Sequence, residues 1–153
     1  MIIRKFELGD EAALFQVFYS SIHLIACRDY SLAQIDAWAP ADFESQRWSD
    51  LIRKIRPFVV EVDNQIAGYA DLQHDGYIDH FYVSGLYPRQ GVGRCLMARI
   101  FEEAALLELK VLSSNVSKTA EPFFCACGFN VVRRTSVKRN GVSIPNAAML
   151  KIL

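Results

Sequence analysis

The chain has no apolar run near the roughly 20 residues that a membrane-spanning helix requires, so no span is expected. It has no excess of either charge: Lys+Arg and Asp+Glu are each 17 in 153 residues. That balance argues against a protein that holds nucleic acid through its overall field. The three histidines are scattered. The four cysteines, Cys27, Cys95, Cys125 and Cys127, show neither a zinc knuckle's spacing nor a C-x-x-C pair. No metal site is therefore expected, and reduced thiols in a cytoplasmic protein are. The opening Met1-Ile-Ile-Arg-Lys-Phe6 lacks the apolar core of a secretory leader. Repeats, low-complexity tracts and linker-like stretches are missing too. With this length, that predicts one domain over residues 1–153.

What is present suffices for a core: 52% of residues are hydrophobic and 22% charged. Ile2–Phe6 reads as a strand. Gly9-Asp10 offers an N-cap to a helix running to about Cys27, with Leu14, Phe18, Ile22 and Ile25 at helical spacing. Ser31 and Gln34 form a capping box for a short helix ending before Pro40. Asp42 can cap a third helix, Phe43 to about Lys54. Phe58–Val62, Gln65–Leu72 and Tyr77–Val83 read as an antiparallel meander with a tight turn at Asp63-Asn64. A helix from Gly91 to about Leu107 and a strand Leu109–Ser113 then make a crossover, parallel to Tyr77–Val83. A short helix over about Lys118–Cys127 ends at Gly128. A last hairpin, Phe129–Val137 with Val142–Ile152, turns at Asn140-Gly141, and Pro145 belongs at an edge or bulge.

The informative stretch is Tyr77-Ile-Asp-His-Phe-Tyr-Val83, a loop, then Arg89-Gln-Gly-Val-Gly-Arg94 opening a helix. The first N–H groups of a helix lack internal partners and carry partial positive charge, which suits phosphate. Gly91 and Gly93 let a ligand approach the backbone, and Arg89 and Arg94 add donors and charge. A P-loop needs Lys then Ser/Thr after its last glycine, whereas Arg94-Cys95 follows Gly93. A Rossmann fingerprint needs a third glycine where Leu96 stands. Both are excluded, and a pyrophosphate loop of another kind remains beside the plainer reading of a tight strand-to-helix turn.

The order of elements and two motifs resemble the GNAT-type N-acetyltransferase superfamily over nearly the whole chain. One family motif, Q/R-x-x-G-x-G/A after a strand-ending valine, is matched by Val83 and Pro88-Arg-Gln-Gly-Val-Gly93. The other, Asn followed by A-x-x-F-Y-x-x-x-G-F, is matched by Asn115 and Ala120-Glu-Pro-Phe-Phe-Cys-Ala-Cys-Gly-Phe129. There are two departures. Pro88 stands at the Q/R position and has no N–H to donate, which leaves Arg89 and the amides from Gln90 through Val92 to Arg94 for phosphate. Phe124 stands where many members carry the tyrosine that protonates the leaving thiolate.

The resemblance implies an α+β, three-layer fold. Its central, mostly antiparallel mixed sheet of about seven strands has helices on both faces and is splayed between the fourth and fifth strands. It implies acetyl-CoA as co-substrate, with the pantetheine arm in the splay against Phe81, Tyr82 and Val83, and with Asn115, Phe123 and Phe124 nearby. Homodimers, frequent in the family, are compatible with the sequence. The acceptor would be a small-molecule or peptide amine. An alkyl amine with a pKa near 10.4 is neutral on the order of once in a thousand at pH 7, so attack needs a base. By alternation Asp79 shares a strand face with Tyr77, Phe81 and Val83, and is the candidate base through water; His80 faces the other way unless the splay turns it. Glu61 and His23 are reserves. Tyr30 and Trp38 wall the acceptor pocket or simply pack on the sheet, and His23 either joins that pocket or makes a local hydrogen bond inside its helix. Tyr30 is also a candidate proton donor to the thiolate. The rival function is a CoA-binding sensor or assembly module without turnover, which Phe124 favours.

Overall fold

The computed structural model describes residues 1–153. Strand β1 (Ile2–Lys5) is followed by α1 (Glu11–Ser20), one π-helical turn (Ser21–Ile25) and a 3-10 turn (Ala26–Arg28). Then come α2 (Leu32–Trp38), α3 (Ser45–Ile55), β2 (Phe58–Val62), β3 (Gln65–Ala70), β4 (Tyr77–Ile78) and β5 (Phe81–Val83). The chain closes with α4 (Val92–Leu106), β6 (Val111–Ser117), α5 (Glu121–Ala126), β7 (Asn130–Arg139) and β8 (Val142–Ile152). Two four-stranded sheets result, in the orders β1-β2-β3-β5 and β4-β6-β8-β7. All pairings are antiparallel except β4 with β6.

Alternation along β2 feeds two cores. Val60 packs under α4 with Leu96 and Ile100, while Val59 packs under α1 and α3 with Leu14, Trp48 and Ile52. Helices thus cover both faces. α4 approaches β3 closely because Gly68 has no side chain; a Cβ there would lie 2.5 Å from Val92 Cγ1. The turns follow the sequence: Asp63-Asn64 and Asn140-Gly141 all have positive φ, as a two-residue hairpin turn of type I′ requires. The capping box at Ser31 is complete, with Gln34 N donating to Ser31 Oγ and Ser31 N to Gln34 Oε1. Pro145 lies just past the last β6 partner of β8, Asn146, where only β7 remains beside it.

Several expected details differ. Asp10 does not cap α1 with its side chain; its carboxylate accepts from Arg4 and from Glu7 N. Glu44, not Asp42, caps α3, accepting from Gln46 N and Arg47 N. The first helix does not stay α-helical to Cys27 but widens to a π turn at Ser21.

The largest difference is the predicted single strand Tyr77–Val83, which is broken at Asp79-His80. β4 pairs with β6 at Tyr77↔Ser113 and Ile78↔Ser114, whereas β5 pairs with β3 in the other sheet. The extra break makes eight strands. Its cause is a buried side chain. Asp71 N donates to His80 O (3.1 Å), but His80 N and Asp79 N both donate to Asp71 Oδ1, at 2.7 and 2.9 Å. The carboxylate takes the place of a backbone carbonyl and ends the ladder. On the other side, Ser114 Oγ donates to Ile78 O at 2.7 Å. Two buried polar side chains therefore satisfy the backbone that the break frees.

Candidate functional site

The break opens a slot between β5 and the second half of β6. Pairing of β6 to β4 stops at Ser114, and β5 has a neighbour only on its β3 side. Antiparallel ladders bond alternate residues. The bonds at His80 O and Ser84 N fix which ones: residues 80, 82 and 84 turn to β3, so the N–H and C=O of Phe81 and Val83 face the slot. A cavity of about 190 Å³ lies here, lined by Phe81, Val83, Phe123 and the π turn's Ile22 and Ile25. π turns recur at functional sites, and the sequence reading missed this one.

At one end of the slot is the N-terminus of α4. Cys95 N makes the first intrahelical bond, to Gly91 O, and no side chain caps the helix. The amides of Val92, Gly93 and Arg94 are thus first-turn donors without helical partners. Gly91 sits at φ +80 and meets nothing nearer than Met1 Cε at 4.0 Å, while a Cβ on Gly93 would lie 3.3 Å from Phe123 Cζ. Arg89 holds a left-handed conformation (φ +55), and Arg89, Gln90, Gly91 and Arg94 are exposed. The side chain of Val92 is in the core, leaving only its backbone for a ligand. Phe124, among the expected cofactor residues, is 2% exposed and packs among Phe81, Phe123 and Phe129.

At the other end the slot meets a polar cleft of about 130 Å³. Trp38, Tyr82 and Ser117 line both cavities, and Tyr77, Asp79, Asn115, Arg139 and Asn146 line the cleft alone. A broader groove of about 990 Å³ continues outward past Trp38, Asp79, Tyr82 and Arg139. The expected pair of catalytic residues divides here. Asp79 is exposed and its carboxylate bonds to no protein group. His80 is buried among Phe18, Trp48, Tyr69 and Tyr82, with Nδ1 3.0 Å from Tyr69 Oη. Burial pushes its pKa down to about 4, so the imidazole is neutral and a weak proton acceptor.

The acceptor candidates also divide. Trp38 lies at the junction of slot and cleft. The Tyr30 ring lines the cleft, but its hydroxyl donates to Pro145 O (2.7 Å) and accepts from Lys118 N (2.9 Å), so its proton is committed. His23 is a local structural residue: its Nε2 donates to Ala39 O at 2.7 Å and its ring stacks on Tyr19. Glu61 is paired with Arg4. Cys127 is half-buried, which raises its thiol pKa and disfavours a thiolate nucleophile. Tyr82, expected only as a slot residue, reaches both cavities, and burial holds its hydroxyl protonated well past its ordinary pKa.

The sequence reading missed Asp71 and Ser114. The available signal for Asp71 was a lone carboxylate closing an otherwise apolar strand, Ile66-Ala-Gly-Tyr-Ala-Asp-Leu72.

A family model described as an acetyltransferase (GNAT) domain matches residues 26–150. The chain is 32% identical over 148 residues to an uncharacterized N-acetyltransferase, YafP, of Escherichia coli K12, covering 96% of this chain and 93% of the relative. A crystal structure from Rhodopseudomonas palustris, titled as a GCN5-related N-acetyltransferase and class-II aminotransferase, superposes with a TM-score of 0.94. It is 26% identical, over 99% of this chain and 95% of that one. The PaiA N-acetyltransferase of Thermoplasma acidophilum, crystallised with coenzyme A, has the same fold at a TM-score of 0.77 and 16% identity, over 99% and 98% of the two chains.

Proposed function

The chain belongs to the GNAT acetyltransferase family, and from that premise we propose that it moves an acetyl group from acetyl-CoA to an amine by direct attack in a ternary complex. The observation that carries the reading is the slot. It has unpaired backbone groups of Phe81 and Val83 along one wall, an uncapped helix N-terminus at one end and a polar cleft at the other. The α4 amides with Arg89 and Arg94 take the diphosphate. The pantetheine arm lies along β5 as an added strand, its amides paired to Phe81 and Val83. Phe123 flanks its path, and Asn115 stands in the cleft beyond it. The thioester then reaches the junction at Trp38, Tyr82 and Ser117, where the amine meets it from the cleft.

Asp79 is the carboxylate free to take the amine's proton, directly or through water. His80, neutral and tied to Tyr69, packs the floor. Attack on the thioester carbonyl forms the amide and releases a thiolate. With a pKa near 8.5 it leaves without a matched acid and takes its proton from water; the Tyr82 hydroxyl, at the junction, can donate a hydrogen bond to it. Phe124 in the core is then consistent with turnover.

Thiol release from acetyl-CoA against an amine panel tests the activity, with calorimetry of CoA binding beside it. Asp79→Asn should lower kcat by on the order of 10²–10³ and remove the corresponding limb of the pH profile; unchanged rate and profile would remove Asp79 from this role. A second reading, a CoA-binding module without turnover, is favoured by Phe124 standing where the family tyrosine is expected. Tight CoA binding with no release on any amine would select it.

A further inference from the structure

The cleft holds one carboxylate and one guanidinium, and neither is paired. Asp79 enters from the strand break and Arg139 from the end of β7, at the tip of the last hairpin. Neither side chain takes part in an ion pair or a side-chain hydrogen bond within the protein. Opposite charges that line one small cleft without joining each other leave two binding poles.

Two amide side chains line the same cleft as Asp79. Asn115 Nδ2 donates to Tyr77 Oη at 3.2 Å, which leaves its amide oxygen for another donor. Asn146 Oδ1 is buried and receives no hydrogen bond from the protein. Buried polar atoms in folded proteins are nearly always partnered, by protein, water or ligand, so this oxygen in the cleft lining is open to a donor from a bound molecule. A carboxylate and two amide oxygens match the three N–H donors of an ammonium group. The pole at Arg139 offers a planar fork of donors, the shape that binds a carboxylate in two parallel bonds. The rest of the lining combines the rings of Tyr30, Trp38, Tyr77 and Tyr82 and the side chains of Val137 and Ile144 with the hydroxyl of Ser117.

We propose that the acceptor is an amino-acid zwitterion with an apolar side chain, its amine held at Asp79, Asn115 and Asn146 and its carboxylate at Arg139. This rests on the acetyltransferase reading and narrows it. The cleft of about 130 Å³ has room for a small molecule, and the groove of about 990 Å³ beyond it makes a longer acceptor the alternative to test. A peptide entering by its N-terminus would bring an amine without a carboxylate a few bonds away, and would leave Arg139 unanswered.

The test compares three probes in the thiol-release assay: L-leucine, 3-methylbutylamine, which is leucine without its carboxylate, and L-leucinamide. A leucyl dipeptide serves as a fourth. Rates are corrected for the neutral-amine fraction of each. Calorimetry of the same probes with the protein saturated in CoA runs in parallel. The expected result is a kcat/KM for leucine at least tenfold above that for the other three, with binding in the same order. Arg139→Met should collapse the ratio of leucine to 3-methylbutylamine towards one, and Arg139→Lys should restore part of it. An unchanged ratio in folded Arg139→Met would overturn the proposal. So would equal turnover of amine and amino acid, or preference for the dipeptide; acetyl transfer itself would then stand. If neither these probes nor any member of the amine panel is acetylated, the acetyltransferase reading falls, while binding of leucine to the CoA complex that weakens tenfold in Arg139→Met still supports the two-pole site, and absence of such binding refutes it.

Discussion

Asp71→Asn separates the geometry of the strand break from its charge. Asp71 is fully buried, and its Oδ1 accepts from two backbone N–H groups. Asparagine keeps an oxygen in that place and removes the negative charge. Burial is the largest influence on Asp71 and lifts its pKa from 3.8 to about 6, against the opposing pull of those N–H donors. A carboxyl whose folded pKa exceeds its unfolded one binds its proton more tightly in the native state. Its contribution to stability is therefore whole below about pH 3.8 and is lost as pH rises through about 6. A shift of about 2 units corresponds to about 3 kcal/mol, of which roughly 2 kcal/mol falls between pH 4 and 7.5. Asparagine has no such dependence.

Stability of the wild type minus that of Asp71→Asn should thus fall by about 2 kcal/mol between pH 4 and 7.5, read from urea unfolding at each pH. Glu11, held below its ordinary pKa by Arg53, acts in the opposite direction, losing stability as pH falls, but it is present in both proteins and cancels. Asp71→Ala removes the acceptor as well. Leaving two backbone donors without a partner should place it about 2–4 kcal/mol below Asp71→Asn at pH 7.5. A difference between wild type and Asp71→Asn that does not change with pH, or an alanine variant as stable as asparagine, would refute the account of the break.

Coenzyme A should slow hydrogen exchange at the amides of Phe81 and Val83, which face the slot, and leave that of Tyr82, already paired to β3, unaltered; equal effects on all three would contradict the added-strand geometry. Gly91→Ala forces a side chain into φ +80 with no clash beyond Met1 Cε at 4.0 Å, so stability should drop by about 1–2 kcal/mol. The Cβ crowds the α4 amides, and calorimetry should show CoA affinity about tenfold weaker; unchanged affinity would move the diphosphate elsewhere. Phe124→Tyr restores the residue common in the family but buries a hydroxyl among three phenylalanines, at a cost of about 1–3 kcal/mol. No gain in kcat is expected, and a large gain would show that position 124 does face the thioester.

Much of the architecture was readable because it depends on local chemistry. Asn140-Gly141 and the Ser31–Gln34 box specify their turn and cap within four residues. The crossover through α4 follows from a helix between two strands. The break at Asp79-His80 was not readable, because Tyr77–Val83 has an unbroken strand composition and its interruption is imposed by Asp71, from another strand. Periodicity therefore assigned His80 to one face, while its backbone and ring answer to Asp71 and Tyr69. The same limit hid the fates of Tyr30 and His23. Both are the right residue types for a site, and both spend their polar atoms on carbonyls, of Pro145 and Ala39, that no sequence spacing brings near.

These misses and the site share one physical origin. A strand paired on both sides has no backbone to offer a ligand, and a strand freed on one side carries N–H and C=O groups that cost about 1–3 kcal/mol each when buried without partners. A slot for an extended ligand is therefore stable only if the chain satisfies the groups at the break itself and leaves unpaired just those the ligand will meet. Asp71 and Ser114 do the first at Asp79, His80 and Ile78. Phe81 and Val83, half-buried along the opening, are what is left. The break also ends the alternation that would have carried Asp79 into the sheet, and turns that carboxylate to solvent at the mouth of the cleft. The slot and the cleft are thus two consequences of one buried carboxylate on β3's continuation, and they meet at Trp38, Tyr82 and Ser117, which belong to no shared motif.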